Sequence, residues 1–248
     1  MPTYYYSGQG EFLLADRTPA GKPKGFEYVG NVPSMQIDIE ITKFEHKESR
    51  SGQRAVDVSL VQEKRGSFTM TVEALSPANL AVGLWGQHAM VAGGAAVGES
   101  VVAYAGKRVT LAHPNLDPNV APVVNAGAFT EGDDYEVDYT NGVLVILEDG
   151  DIADETMLTV DYTYLGYANV EAFTVTSMEK WLRFEGINTL DGDRVTVDIF
   201  KASFDPMSGY QLINEELGQI EMRGSVLYDA AQPGVSKFFT QRNYTPGA

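Results

Sequence analysis

The chain contains no cysteine. Disulfide staples, thiol nucleophiles and cysteine-ligated metal centres are therefore excluded. Histidine is nearly as scarce. His46, His88 and His113 are the only three, they lie far apart, and none belongs to a His-Glu-x-x-His pair. Cationic side chains are few: 18 Lys and Arg against 34 Asp and Glu give a formal net charge of −16. Holding a nucleic-acid backbone or an anionic membrane by attraction needs a basic surface, so neither is an expected binding partner. No apolar run approaches the roughly 20 residues of a membrane span. Met1 to Gly10 has no basic segment followed by an apolar one, so the chain is expected to be made in a cytoplasm.

Signatures of chemistry are missing too. Gly8-Gln9-Gly10 begins like a dinucleotide fingerprint, but Leu13 stands where the third glycine belongs and no helix follows. Gly98-Glu99-Ser100-Val101-Val102 begins like a nucleophile elbow and lacks the second glycine. No phosphate-loop lysine motif is present. The acids from Asp149 to Glu155 do not make an EF-hand loop, because Ala153 and Val160 interrupt its pattern, and they read as solvated turn residues. Carboxylates are abundant, but no spacing selects two of them for acid–base work. The expectation is a non-enzymatic chain without cofactor or metal.

What the chain does have is alternation. At 44% hydrophobic residues, 248 residues suffice to bury the core of one large or two small domains. The stretch from Gly30 to Leu75 organises the rest. Met35, Ile37, Ile39 and Ile41 alternate with Gln36, Asp38 and Glu40; Phe68, Met70 and Val72 alternate with Thr69, Thr71 and Glu73. Period-two alternation puts each set on one face of an extended strand. Between them Glu45 to Arg65 reads as a long polar loop. Long structureless loops are uncommon unless they do something, so this loop, rather than a pocket, is the expected working part. His46 lies within it and suits a hydrogen-bonding contact.

Around that stretch the chain reads as many short strands with one helix. Tyr4, Tyr5 and Tyr6 are either a flexible terminus or an arm for a neighbouring subunit. Glu11 to Ala15 and Phe26 to Val29 form a hairpin across a turn rich in proline and glycine. Ser76-Pro77 opens the helix, with Leu80, Leu84 and Trp85 as its buried stripe and Gly86 as its stop. Met90 to Gly98 reads as a linker. Val101, Ala103 and Lys107 to Leu111 read as a hairpin. Tyr135 to Tyr139 and Val143 to Leu147 are strands joined by a two-residue Asn141-Gly142 turn, and Leu158 to Tyr164 is another. Further strands fall at Ala172 to Thr176, Glu179 to Gly186, Arg194 to Phe204 and Gly218 to Tyr228. Phe200 breaks the alternation of its strand, as it would if both faces were buried. Asp229 to Ala248 is an arm or a frayed end. The expected fold is mainly β, a β-sandwich or barrel with one flanking α-helix. Residues 1–98 and 168–248 form its core, and 99–167 an inserted small β module.

Val29-Gly30-Asn31-Val32-Pro33, the alternating strand after it, and Glu45-His46-Lys47-Glu48-Ser49-Arg50-Ser51-Gly52 together resemble the tail tube proteins of long-tailed bacteriophages. The resemblance covers about Gly10 to Trp85 and resumes at about Glu171 to Tyr228, with Arg194-Val195-Thr196-Val197-Asp198-Ile199-Phe200 and Gly218-Gln219-Ile220-Glu221-Met222-Arg223-Gly224-Ser225-Val226. It implies a structural virion protein that forms homohexameric rings. These stack into a hollow tail tube through which DNA passes at ejection without specific binding. It also implies tape measure, tail terminator and distal tail proteins as partners, and the inserted module on the outer surface. On that reading Glu45, His46, Lys47, Glu48, Arg50, Arg54, Glu63, Lys64 and Arg65 contact the next ring. Gln36, Asp38, Glu40, Thr69, Thr71 and Glu73 line the lumen, or else face bulk water. A tube protein of a contractile injection or secretion machine is the nearest alternative. A carbohydrate-binding adhesive module, stacking sugar on Tyr135, Tyr139 and Tyr164, is the alternative of another class, and an acidic hydrolase is the third.

Overall fold

The computed structural model describes residues 5–245. Tyr4, one of the three tyrosines of the expected N-terminal arm, lies outside the described residues, as does the end from 246 to 248. The described residues are mainly β with one α-helix. Its elements run β1 Gly8–Asp16, β2 Glu27–Tyr28, β3 Ser34–Lys47, β4 Val56–Val72, α1 Pro77–Gly83, β5 Gln87–Val91, β6 Gly94–Ala103, β7 Arg108–Thr110, β8 Val123–Val124, β9 Tyr135–Asp138, β10 Val143–Ile146, β11 Thr156–Tyr164, β12 Tyr167–Glu171, β13 Met178–Asn188, β14 Arg194–Phe204, β15 Ile220–Val226 and β16 Phe239–Tyr244. Two compact units result. One is formed by Met1–Gln87 with Val170–Ala248, the other by His88–Asn169. The chain leaves the first along β5 and returns along β12, which pair as a two-stranded sheet.

The first unit holds an eight-stranded sheet in the order β2-β1-β13-β14-β15-β4-β3, with β16 also against β14. β14 is where it forks. Arg194 to Ile199 pair with β16, while Ala202 to Phe204 pair with β15. A sheet that splits this way can fold over its own inner face. Phe12 and Leu14 from β1, Phe68, Met70 and Val72 from β4, Leu182, Ile199, Phe204, Ile220 and Met222 accordingly share one core. Phe68 and Phe204 meet edge to face there, with ring centroids 5.0 Å apart. Neighbouring residues point the other way. Trp181 and Phe200, next in sequence to Leu182 and Ile199, join Ala15 in a second small core. The break at Phe200 thus does mark a strand buried on both faces.

The helix is short and tightly tied. Ser76 caps it by accepting from the Asn79 N–H at 3.2 Å, and Pro77 takes its first turn. The buried Asn79 side chain donates to the carbonyls of Val29 (2.6 Å) and Ala74 (2.7 Å), fixing the helix to the start of the core. The expected Leu80, Leu84 and Trp85 stripe is corrected. Asn79, Ala81, Val82 and Gly83 are the buried residues, and Leu80 and Trp85 pack half-buried against the main core. The left-handed residue after the helix is Trp85 (φ +49°), not Gly86. Trp85 is held there by an indole N–H bond to the Phe204 carbonyl at 2.9 Å. Gly86 is needed for another reason: a Cβ on it would fall 2.1 Å from the Glu171 carbonyl oxygen.

The second unit packs two three-stranded sheets, β7-β10-β9 and β6-β11-β8, around a core that includes Leu116, Leu144, Ile146, Leu158 and Val160. Several local expectations change. Met90 to Gly98 is not a linker but belongs to β5 and β6, since alanine-rich, glycine-bearing chain is tolerated at half-exposed sheet positions. β6 and β7 do not pair with each other; β6 pairs with β11 and β7 with β10. The β9–β10 connection has four residues, Tyr139 to Gly142, because Val143 pairs with Asp138. The Asp138 carboxylate accepts from the Asn141 N–H (3.1 Å) and its side-chain amide (2.8 Å), closing the longer loop. In the first unit Ala172 to Thr176 is not a strand. The run after Asp229 is not wholly a frayed end either, since it contributes β16 and the buried Asp229 and Gln232.

Candidate assembly surface

The expected polar loop from Glu45 to Arg65 is not a loop. β3 and β4 stay paired from Ser34↔Thr71 out to Lys47↔Val56, and only Glu48 to Ala55 turns. The reason is residual alternation that charge conceals: Phe44, Val56, Val58, Leu60 and Val61 are strand formers spaced among Lys, Glu and Ser. Two bulges, between Thr42 and Lys43 and between His46 and Lys47, shift the register along the way. Beyond Gly66, where β15 stops pairing with β4, nothing among the described strands flanks the pair. The outcome is a two-stranded arm with both edges open and both faces exposed from Ile39 outward.

The turn at its tip is built from side chains that the sequence marks as contacts. Glu48 accepts from the N–H groups of Arg50 (2.7 Å) and Ser51 (2.9 Å) and from the Ser51 hydroxyl. These bonds, the hydroxyl first, hold its carboxyl below the ordinary range. Gly52 (φ +77°) and Arg54 (φ +50°) complete the reversal, and the Glu48 N–H returns to the Ala55 carbonyl at 2.9 Å. Glu48 is therefore spent within its own turn. His46 lies 2.6 Å from Asp57 across the second bulge, and that contact lowers the Asp57 carboxyl. Glu63 and Arg65 pair with each other at 2.8 Å, raising the guanidinium. Glu45, Lys47, Arg50, Arg54 and Lys64 hold their side chains in solvent.

The residues expected to line a lumen do come together. Thr71 pairs with Ser34, Thr69 with Gln36, Ser67 with Asp38 and Arg65 with Glu40. Pleating places these on the face opposite Ile37, Phe68, Met70 and Val72, which enter the core. Glu73 follows beyond the strand, where its carboxylate accepts from the Asn31 amide at 2.6 Å. β15 extends the same face. Glu221, Arg223 and Ser225 stand beside Thr71, Thr69 and Ser67, and Glu221 pairs with Arg223. Sequence reasoning missed these three, although their alternation with Ile220, Met222, Gly224 and Val226 marks them. Asp38, Glu40, Glu73 and Glu221 against Arg65 and Arg223 leave the face acidic.

The tyrosines that would stack sugar are placed otherwise. Tyr135 is 3% exposed within the second core. Tyr164 is already stacked on His113, ring centroids 3.9 Å apart and 7° between planes. Among the described residues no group of three or more His, Cys, Asp or Glu has a metal-holding arrangement. Among the described residues no helix is long and apolar enough to cross a membrane.

Fold and surface thus define a mainly β protein of two units with a bare two-stranded arm beside an acidic sheet face. Residues 5–242 match the family described as protein of unknown function UCP028589, and the chain belongs to that family. No curated protein matches the sequence significantly.

Proposed function

We propose that the protein is a self-assembling structural subunit of the phage tail tube type, non-enzymatic, six to a ring, with rings stacked into a hollow tube that conducts DNA. The observation that carries this reading is the arm. An isolated two-stranded ribbon is marginal in water, and exposed strand edges invite pairing with another chain. A ribbon with two open edges and a row of exposed Ile, Phe, Val and Leu is best accounted for by cover from identical neighbours. Closing identical copies into a ring satisfies such edges without leaving new ones. The acidic face of β3, β4 and β15 suits the bore. Duplex DNA carries about one negative charge per 1.7 Å, and a wall that repels it lets it slide. Virion localisation, and the tape measure, terminator and distal tail partners, follow from the same reading. The 88–169 unit is assigned to the outside of the tube, clear of the bore.

Negative-stain electron microscopy of the purified chain tests it. Rings or tubes with a central hole are the expected images. Dispersed monomers at every concentration reached would overturn it.

A further inference from the structure

The exposed apolar side chains of the arm do not share one face. Ile37, Ile39 and Ile41 lie on the odd-numbered face of β3, which at its root enters the core. Past the first bulge a second apolar group lies on the other side. Phe44 pairs with Leu60 and His46 with Val58, all on the even-numbered face, while Lys43 with Val61, Glu45 with Ser59 and Lys47 with Val56 continue the face begun by the isoleucines. The bulge explains the switch. Its extra residue, Gln62, sits on β4, so β3 keeps its own alternation while the partner strand slips by one. The arm therefore carries an apolar base patch and an apolar tip patch on opposite pleat faces. Both are open: Ile39 is 67% and Leu60 57% exposed.

Opposite faces dictate the kind of contact. Where two ribbons stack, one presents its lower face and the other its upper. If the tip patch of the first covers the base patch of the second, the first ribbon's own base patch faces away. The same pair cannot reciprocate, so a third copy must fill that position. Such a head-to-tail contact propagates until it closes a ring or extends a filament.

We propose that the tip patch of one copy, Phe44, Val58 and Leu60, docks on the base patch of a second copy, Ile39 and Ile41, so that each ribbon lies between two neighbours. Charge selects the same occupant. At the tip Lys43, Lys47, Arg50 and Arg54 outnumber Glu45, Glu48 and Asp57 by one, on a chain whose net charge is −16. Around the base patch Asp38, Glu40 and Glu63 outnumber Lys64 and Arg65 by one. The slight excess of opposite sign favours tip against base over tip against tip. This proposal rests on the self-assembly reading above and adds the surfaces and the polarity.

The absence of cysteine makes a clean test. Ile41→Cys and Val58→Cys are prepared separately and together, then assembled and oxidised. Neither single variant should form a disulfide dimer, an equimolar mixture should give dimers, and the double variant should give a ladder on a non-reducing gel. Dimers from Val58→Cys alone would mean tip-to-tip pairing and overturn the proposal. So would intact rings or tubes of the double variant with no crosslink, which would leave the assembly reading standing. Monomers from the unmodified chain in the same buffer would remove both. Phe44→Asp gives a second readout. It should leave the emission of the core tryptophans Trp85 and Trp181 unchanged while abolishing assembly, and tubes of this variant would count against the tip patch.

Discussion

At the scale of single residues, two carboxylates show how differently the molecule uses the same group. Asp198 is 3% exposed, yet accepts from the Trp181 indole at 3.0 Å and from Arg242 at 2.6 Å. It ties β14 to β13 and to β16 beneath the second small core. Removing its charge leaves two donors facing a weaker acceptor, so Asp198→Asn should cost about 1–3 kcal/mol. Urea unfolding followed by tryptophan emission would measure it, and a midpoint unchanged from the parent protein would contradict the assignment. Glu48 is half-exposed and acts locally. Its pKa is depressed in the folded arm, so its bonds to the turn are in place above the ordinary carboxylate range. They are lost as pH falls through the folded value. The amide resonances of Arg50 and Ser51 should therefore shift on acidification, with a midpoint below that of a free glutamate. In Glu48→Gln that titration should vanish.

At the scale of elements, the arm shows what could and could not be read from the chain. The alternation of Met35 to Ile41 and of Phe68 to Val72 is unbroken and marks two strands unambiguously. Ser76-Pro77 marks the helix start just as well, because cap and first-turn proline act locally. The middle of the arm was hidden. Bulges at Gln62 and Asp57 leave Leu60 and Val58 on one face and Val61 and Val56 on the other, and the charges among them resemble a solvated loop. β16 was hidden for a different reason: Gln241, Arg242 and Asn243 form a strand only because β14 offers an open edge. The shared polar face of Asp38, Glu40, Thr69 and Thr71 is legible from pattern, whereas the alternation around Glu221 and Arg223 marks a polar face but not the pairing with β4 that brings it alongside. If the arm serves assembly rather than folding, shortening it should separate the two. Replacing Phe44 to Leu60 by Asn-Gly supplies a favoured two-residue hairpin turn. The shortened chain should keep the far-ultraviolet spectrum of a β protein and its tryptophan emission, and should sediment as a monomer. Tubes from that variant would show that the arm is dispensable.

At the scale of the whole molecule, the compact 88–169 unit and the acidic face raise separate questions about the proposed tube. The unit has its own core and is entered and left through paired strands, so a short Gly-Ser linker in its place should let the remaining chain fold. If it sits outside the tube, the excised protein should still form tubes, narrower in outer diameter and unchanged in bore. The acidic face makes the opposite demand, since it is expected to matter for passage and not for assembly. Asp38 and Glu40 are exposed and close no ion pair at the core, so reversing both to lysine should leave stability within a few tenths of a kcal/mol, as for most exposed sites. If that face lines the proposed bore, its electrostatics, however, would change sign locally. Cationic side chains repeated around every ring would neutralise phosphates and release counterions, and the resulting attraction falls steeply with salt. Tubes of Asp38→Lys/Glu40→Lys should therefore retain short duplex DNA in a low-salt filter assay and release it at higher salt, while parent tubes retain none at either. Equal failure of both tubes to hold DNA would place Asp38 and Glu40 on the outer wall, and the bore would then have to be sought on another face of the same sheet.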